Sequence, residues 1–283
     1  MQKLFNRILV PVDFSPKSKI AVGKAVAIAQ QYECDLHLLH VAPVVPFSSL
    51  AIGEGHLMAP YGVVDDTKSV MIKLREFSDY GQTRTGSKLN IQHACRTGTW
   101  NQAVIDYVGE NNIDLVVIGQ KSGLLGKRKM ILNPDVIAER TSIPVITLPA
   151  NRRLTHLYSI VIPVTEFLPV KKLMYGIYIA SKYSTTIKLL AVENEKSHAV
   201  VQHYLKKAYQ LIRDNCNINV ELETVRNNNV AAAIIEFAKQ HSADLIILNP
   251  GTQTRMPGFF STLLGRFIQK YSAPPVLTVA PLS

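Results

Sequence analysis

The chain repeats itself. Ile8-Leu9-Val10-Pro11-Val12-Asp13 returns as Ile160-Val161-Ile162-Pro163-Val164-Thr165, and Asp114-Leu115-Val116-Val117-Ile118-Gly119 returns as Asp244-Leu245-Ile246-Ile247-Leu248-Asn249. Pro144-Val145-Ile146-Thr147-Leu148 returns in turn as Pro275-Val276-Leu277-Thr278-Val279. The order is kept, while the spacing between counterparts falls from 152 residues at Ile8 to 130 at Asp114, as one longer loop in the first copy requires. A period this long means two copies of a domain rather than a solenoid of short units. The expected domains are 1–150 and 151–283, each large enough for its own core. Chemistry held by the first copy can be checked for in the second.

Within each copy, short apolar runs alternate with segments of helical spacing. Arg7–Val12 reads as a strand and is followed by Asp13-Phe14-Ser15-Pro16, with Ser15 placed to cap a helix and Pro16 at its first position. That helix runs to Tyr32. A strand at 35–40, a helix over 65–80, a strand at 90–96, a helix over 100–111, a strand at 114–119, a short helix over 134–141 and a strand at 144–148 complete the copy. The second copy predicts strands at 158–164, 186–192, 217–225, 244–248 and 276–279, with helices over 170–183, 199–214, 230–240 and 261–271. Such alternation implies right-handed βαβ crossovers and a parallel sheet covered on both faces. Continuous apolar strands such as Leu245–Leu248 agree, because strands buried on both faces do not alternate. In such a sheet a ligand sits outside the carboxyl ends of the strands. Loops 13–16, 41–64, 96–100 and 119–133 are therefore the candidate site, and they contain Asp13, Val41, Gly98 and Gly119.

Bulk properties exclude several classes. No apolar run approaches the roughly 18–20 residues that cross a bilayer. The start lacks a signal-peptide core and cleavage site, so a cytoplasmic protein is expected. Cys34, Cys95 and Cys216 are odd in number and widely spaced, which suits neither a disulfide framework nor a zinc site. The net charge of +10 raises an anionic partner, and Lys121, Lys127, Arg128 and Lys129 cluster. No aromatic-studded basic strand accompanies them, so nucleic acid is not the expected partner.

The quoted strands and the closing Ile143-Pro144-Val145-Ile146-Thr147 resemble the universal stress protein family over nearly the whole chain. The resemblance implies α/β domains of the adenine nucleotide alpha hydrolase-like kind, each a five-stranded parallel sheet of order 3-2-1-4-5. It also implies that the two domains pair through their last strands, here as an intramolecular pseudo-dimer. Family members that bind ATP carry an Asp ending the first strand, which contacts adenine. They also carry a phosphate loop reading Gly, two residues, Gly, nine residues, Gly, then Ser or Thr. Glycines there let backbone amides approach the phosphates at a helix N-terminus.

This chain departs from that loop. Asp13 and Gly119 are present, but an ungapped count puts Ser122 at the second glycine and Leu132-Asn133 at the final pair. Gly123 and Gly126 have the right mutual spacing, yet Val136 stands where the third glycine belongs. In the second copy Thr165 replaces the Asp and Asn249 the first glycine, and no register completes the motif, so loss of the site is expected there. In the first copy the basic loop either supplies charge-assisted bonds to phosphate, with Lys127 foremost, or is merely solvated. Asp13 likewise either contacts a ligand or orders its own turn. The candidate set is Asp13, Val41, Gly98, Gly119, Ser122, Lys127 and Asn133, with ATP or another phosphorylated small molecule as ligand.

Other constellations fall away. Gly123–Lys127 lacks the first glycine and the hydroxyl of a P-loop. His37 and His40 lie three apart on one strand, point to opposite faces and do not chelate one metal. Trp100 reads as packing against the sheet or, alternatively, as stacking on a base. The long 43–64 insertion reads as a flap or a partner surface. The expected function is a non-enzymatic stress-response or regulatory protein acting by ligand sensing or protein contacts. The alternatives are a nucleotide-binding protein with at most slow hydrolysis in domain 1, and a purely structural pseudo-dimer. Tandem chains could further associate as homodimers.

Overall fold

Each repeat builds its sheet outward from one completely buried strand. In a computed structural model the described residues are 3–42, 44–46, 61–63, 67–86, 89–119, 132–149, 157–194, 196–250 and 274–281. They fall into two compact units, one essentially Phe5–Val117 with 123–133, the other 134–283 with short pieces at 1–4 and 118–122.

In the first unit β1 (Arg7–Pro11) lies between β2 (Asp35–Ala42) and β6 (Leu115–Gly119), and β5 (Ile91–Thr97) flanks β2. All these pairings are parallel. They give the order β5-β2-β1-β6, which is third, second, first, fourth. Helices α1 (Pro16–Tyr32), α2 (Thr67–Thr85) and α3 (Trp100–Glu110) make the crossovers. The Ser15 side chain accepts from Ser18 N–H and Pro16 opens α1, as its sequence signals require. Helix α2 continues past residue 80 through Gly81, whose missing side chain leaves room for Val26. Sequence periodicity did not foresee the antiparallel pair β3 (Val44–Pro46) and β4 (Tyr61–Val63) at the two ends of the insertion. The rest of that insertion, Met58 included, lies outside the described residues.

The second unit contains β8 (Ser159–Val164), β9 (Thr186–Glu193), β10 (Val220–Arg226), β11 (Leu245–Leu248) and β12 (Val276–Thr278) in the parallel order β10-β9-β8-β11-β12. This is the complete 3-2-1-4-5 arrangement. Helices α5 (Val170–Ala180), α6 (His198–Asn215) and α7 (Val230–Gln240) cover it. Helix α5 stops at Ala180, not at 183, because residues 181–184 turn. The helix expected over 261–271 lies outside the described residues. This unit also takes in α4 (Pro134–Thr141) and β7 (Val145–Leu148), the last elements of the first repeat. The cause is the pairing of β7 with β12, which run antiparallel with Ile146 opposite Leu277. The two last strands thus meet, and the sheet is mixed there rather than wholly parallel.

The repeated Asp of the fourth strand has a mechanical role in both copies. Asp114 Oδ2 accepts from the backbone N–H groups of Asn6 and Arg7 at 2.9 and 3.0 Å. Asp244 Oδ2 accepts from those of Tyr158 and Ser159 at 2.8 and 3.1 Å. Each carboxylate satisfies the entry of the first strand from its neighbour, which explains its recurrence. Apolar side chains on both faces then bury the sheet, for example Val161, Ile246 and Leu248 beneath Ile234 and Phe237 of α7.

Candidate functional site

Helices return antiparallel to the strands, so the first turns of α1 and α3 and the carboxyl ends of β1, β2 and β5 share one end of the first unit. Asp13, Val41 and Gly98 are brought to this end. The Asp13 carboxylate accepts from Ser15 through one oxygen, at 3.1 Å from its N–H and 2.6 Å from its hydroxyl. Asp13 therefore orders its turn. Among the described residues nothing bonds its second oxygen.

Phe14 follows in the left-handed region, φ 58°, which is uncommon for an aromatic residue. Its ring is held by neighbours: it stacks on His40 at 4.5 Å, meets Phe77 edge-on at 5.6 Å, and has Lys73 Nζ 5.5 Å above it. His40 lies 2.7 Å from the Val12 carbonyl through Nδ1, and since a carbonyl only accepts, that nitrogen carries the proton. The edge of His40 meets Trp100 at 5.7 Å. The result is a ledge of Phe14, His40 and Trp100 beside Asp13, with Phe14 and Trp100 half-exposed. His37 points elsewhere, to the Tyr107 hydroxyl at 3.0 Å, so the two histidines serve opposite faces of β2. Burial, reinforced by Arg7, holds His37 below its ordinary value.

The remaining candidates separate. Val41 is wholly buried and pairs with Arg96 in the ladder. Gly98 has φ 125° and its N–H donates to Ala42 O at 3.2 Å, a geometry that a side chain would strain. Asn133 N–H donates to Asn101 Oδ1 at 2.9 Å, which ties the residue before α4 to the first turn of α3. Gly119 ends β6 and belongs by its contacts to the second unit. Ser122 and Lys127, with Lys121, Arg128 and Lys129, lie outside the described residues.

The equivalent end of the second repeat is built differently. Thr165 and Asn249, which stand where Asp13 and Gly119 stand, are buried at 6% and 3% exposure. Asn249 Nδ2 donates to Val279 O at 2.8 Å, while its Oδ1 and Thr165 Oγ1 have no hydrogen-bond partner among the described residues. Beside them is a residue that the sequence reading missed. Lys172 on α5 is 1% exposed and heads the fully buried side chains by volume. Its Nζ donates to Pro163 O at 2.6 Å, and burial lowers its pKa to about 7. The buried positions of the two first helices coincide at Ala21 and Lys172, Val22 and Leu173, Ala25 and Gly176, Val26 and Ile177, so lysine replaces alanine. The available signal was Lys172 falling on the apolar stripe of α5. Nearby, Glu193 ends β9 and takes up Gln202 at 2.8 Å and His198 at 2.8 Å, where the first repeat has Ala42. Among the described residues no group of three His, Cys, Asp or Glu could hold a metal ion, and no helix is long and apolar enough to cross a membrane.

Comparison with known proteins agrees with this architecture. Universal stress protein A of Yersinia pestis is 29% identical over 140 residues, 46% of this chain and 85% of that protein. Universal stress protein YxiE of Bacillus subtilis is 25% identical over 151 residues, 50% of this chain and 98% of that protein. A universal stress protein structure from Archaeoglobus fulgidus superimposes with a TM-score of 0.67, covering 98% of both chains at 15% identity, which speaks to the fold alone. Residues 4–149, just over half the chain, match the universal stress protein family, and the chain belongs to that family.

Proposed function

We propose that this chain is a cytoplasmic, non-enzymatic stress-response regulator that acts by ligand sensing or protein contacts, and that its first repeat alone receives an adenine nucleotide. One observation carries the reading. The first repeat offers a half-exposed aromatic ledge beside an Asp13 oxygen that still accepts hydrogen bonds, whereas the second repeat buries Thr165, Asn249 and Lys172 at the same place. An aromatic face and a carboxylate suit a purine with its exocyclic amine. The phosphates would fall toward the basic loop that contains Ser122 and Lys127.

Trp100 is the only tryptophan in the chain and edges this ledge, so its fluorescence reports directly on the site. Titration with Mg-ATP is expected to change that emission saturably, with native mass spectrometry showing one nucleotide per chain. Asp13→Ala abolishes both signals, and no ADP accumulates. ADP release at a steady rate would replace the sensor with a slow ATPase. No change at saturating ATP would overturn nucleotide binding. It would favour the structural pseudo-dimer, which the Asp13–Ser15 turn supports.

A further inference from the structure

We propose that the second repeat holds a small oxyanion bearing its own hydroxyl, of the hydrogen phosphate or bicarbonate kind, between Lys172 and Asn249. The residues differ from the glycine loop that this repeat has lost. Their placement follows from the fold. Gly176 lies so close to β8 and β11 that a Cβ there would meet Ile162 Cδ1 at 2.6 Å and Ile247 Cδ1 at 3.5 Å. Lys172 is one turn earlier on the same helical face, hence nearer the carboxyl ends of those strands. Asn249 is two residues past Ile247 and so continues its face of the sheet. Lysine and asparagine therefore share one side of the sheet.

The hydrogen-bonding needs at this point are complementary to such an ion. Lys172 has three N–H groups when charged and one is taken by Pro163 O at 2.6 Å. Asn249 Nδ2 is committed to Val279 O, which aims Oδ1 away, with no donor to satisfy it among the described residues. Glu193, the buried carboxylate of the neighbouring strand, is already taken by Gln202 and His198 and does not neutralise the amine. An oxyanion accepts from Lys172, and its own hydroxyl donates to Asn249 Oδ1. Sulfate accepts but has no proton to give at neutral pH.

The test is thermal unfolding of the full chain with inorganic phosphate and, in parallel, sodium sulfate at matched ionic strength. Phosphate is expected to raise the midpoint saturably, with sulfate at least tenfold weaker. Lys172→Met, which keeps the length of the stem, abolishes the phosphate effect, whereas Asp13→Ala leaves it intact and so separates this site from the nucleotide site proposed for the first repeat. Should Lys172→Met not fold, Asn249→Asp serves instead, because a carboxylate there pairs with the ammonium and excludes the anion. No saturable shift in the unaltered protein, equal shifts with phosphate and sulfate, or a shift that survives Lys172→Met would each overturn the proposal.

Discussion

The two repeats fold alike and end differently. At the carboxyl end of β1 the first repeat places Asp13 and Phe14 at half exposure, and the buried face of the helix that follows carries the small residues Ala21 and Ala25. At the carboxyl end of β8 the second places a lysine where the first has alanine, and one turn further along the same helix a glycine where the first has alanine. The lesson is that a shared scaffold sets where a site can be, while two or three helix positions decide whether the space is offered or occupied.

Exchanging the lysine tests this most directly. Ala21→Lys forces an amine into the closed core of the first repeat and is expected to cost at least about 3 kcal/mol by urea denaturation. Lys172→Met removes a buried charge and is expected to stabilise by about 1–4 kcal/mol at pH 7 without added anion. A loss of stability in Lys172→Met would show that the amine is held by more than Pro163 O. The pH dependence has a fixed sign. Between about 7 and the ordinary 10.5 the unfolded chain keeps a proton on Lys172 that the folded chain has lost. Stability attributable to Lys172 therefore rises with pH across that window and is flat below it. Denaturation midpoints at pH 7 and pH 9 should diverge for the unaltered protein and converge in Lys172→Met. The first repeat has a sensitivity of the same sign, on the acid side. His37, held below 6.5 by burial, costs stability as pH falls beneath that value, and Trp100 emission should report the loss.

Smaller effects sharpen the contrast. Ser15→Ala removes both the cap of α1 and the clamp on Asp13, with an expected loss of about 1 kcal/mol. Helix α5 has no side-chain cap to lose, so no residue at its start should show the same effect. Gly176→Ala is expected to change stability by less than about 1 kcal/mol, because the helical gain of alanine is offset by the shift forced on Ile162 Cδ1. A larger loss would mean that Ile162 is pinned by what lies around Lys172.

Much of the architecture was legible because it rests on local chemistry that recurs. The Ser15-Pro16 start of α1, the apolar β1 and β8, and the paired Asp114 and Asp244 each have a signature within a few residues. Asp13 was legible as a choice between contact and turn, and its bonds to Ser15 show the turn. Three features were not legible. Lys172 reads from sequence as a solvent-facing residue, since lysine is rarely fully buried, and only the packing of Gly176 on β8 draws it inside. The Phe14–His40–Trp100 ledge joins three segments far apart in the chain, so no spacing rule reveals it. The β3–β4 pairing encloses a long Pro- and Gly-containing stretch whose composition resembles a loop.

The antiparallel seam between β7 and β12 has a consequence for how such a molecule can change over generations. When two identical chains meet through their last strands, every substitution appears on both sides of the axis, and a lysine in one cleft is a lysine in both. Here the seam joins two halves of one polypeptide, so Val145–Leu148 and Val276–Thr278 need only fit each other. Symmetry is no longer enforced by the gene. Lys172 is present on one side of that seam and Asp13 on the other, an inequality that a homodimer of single domains could not encode.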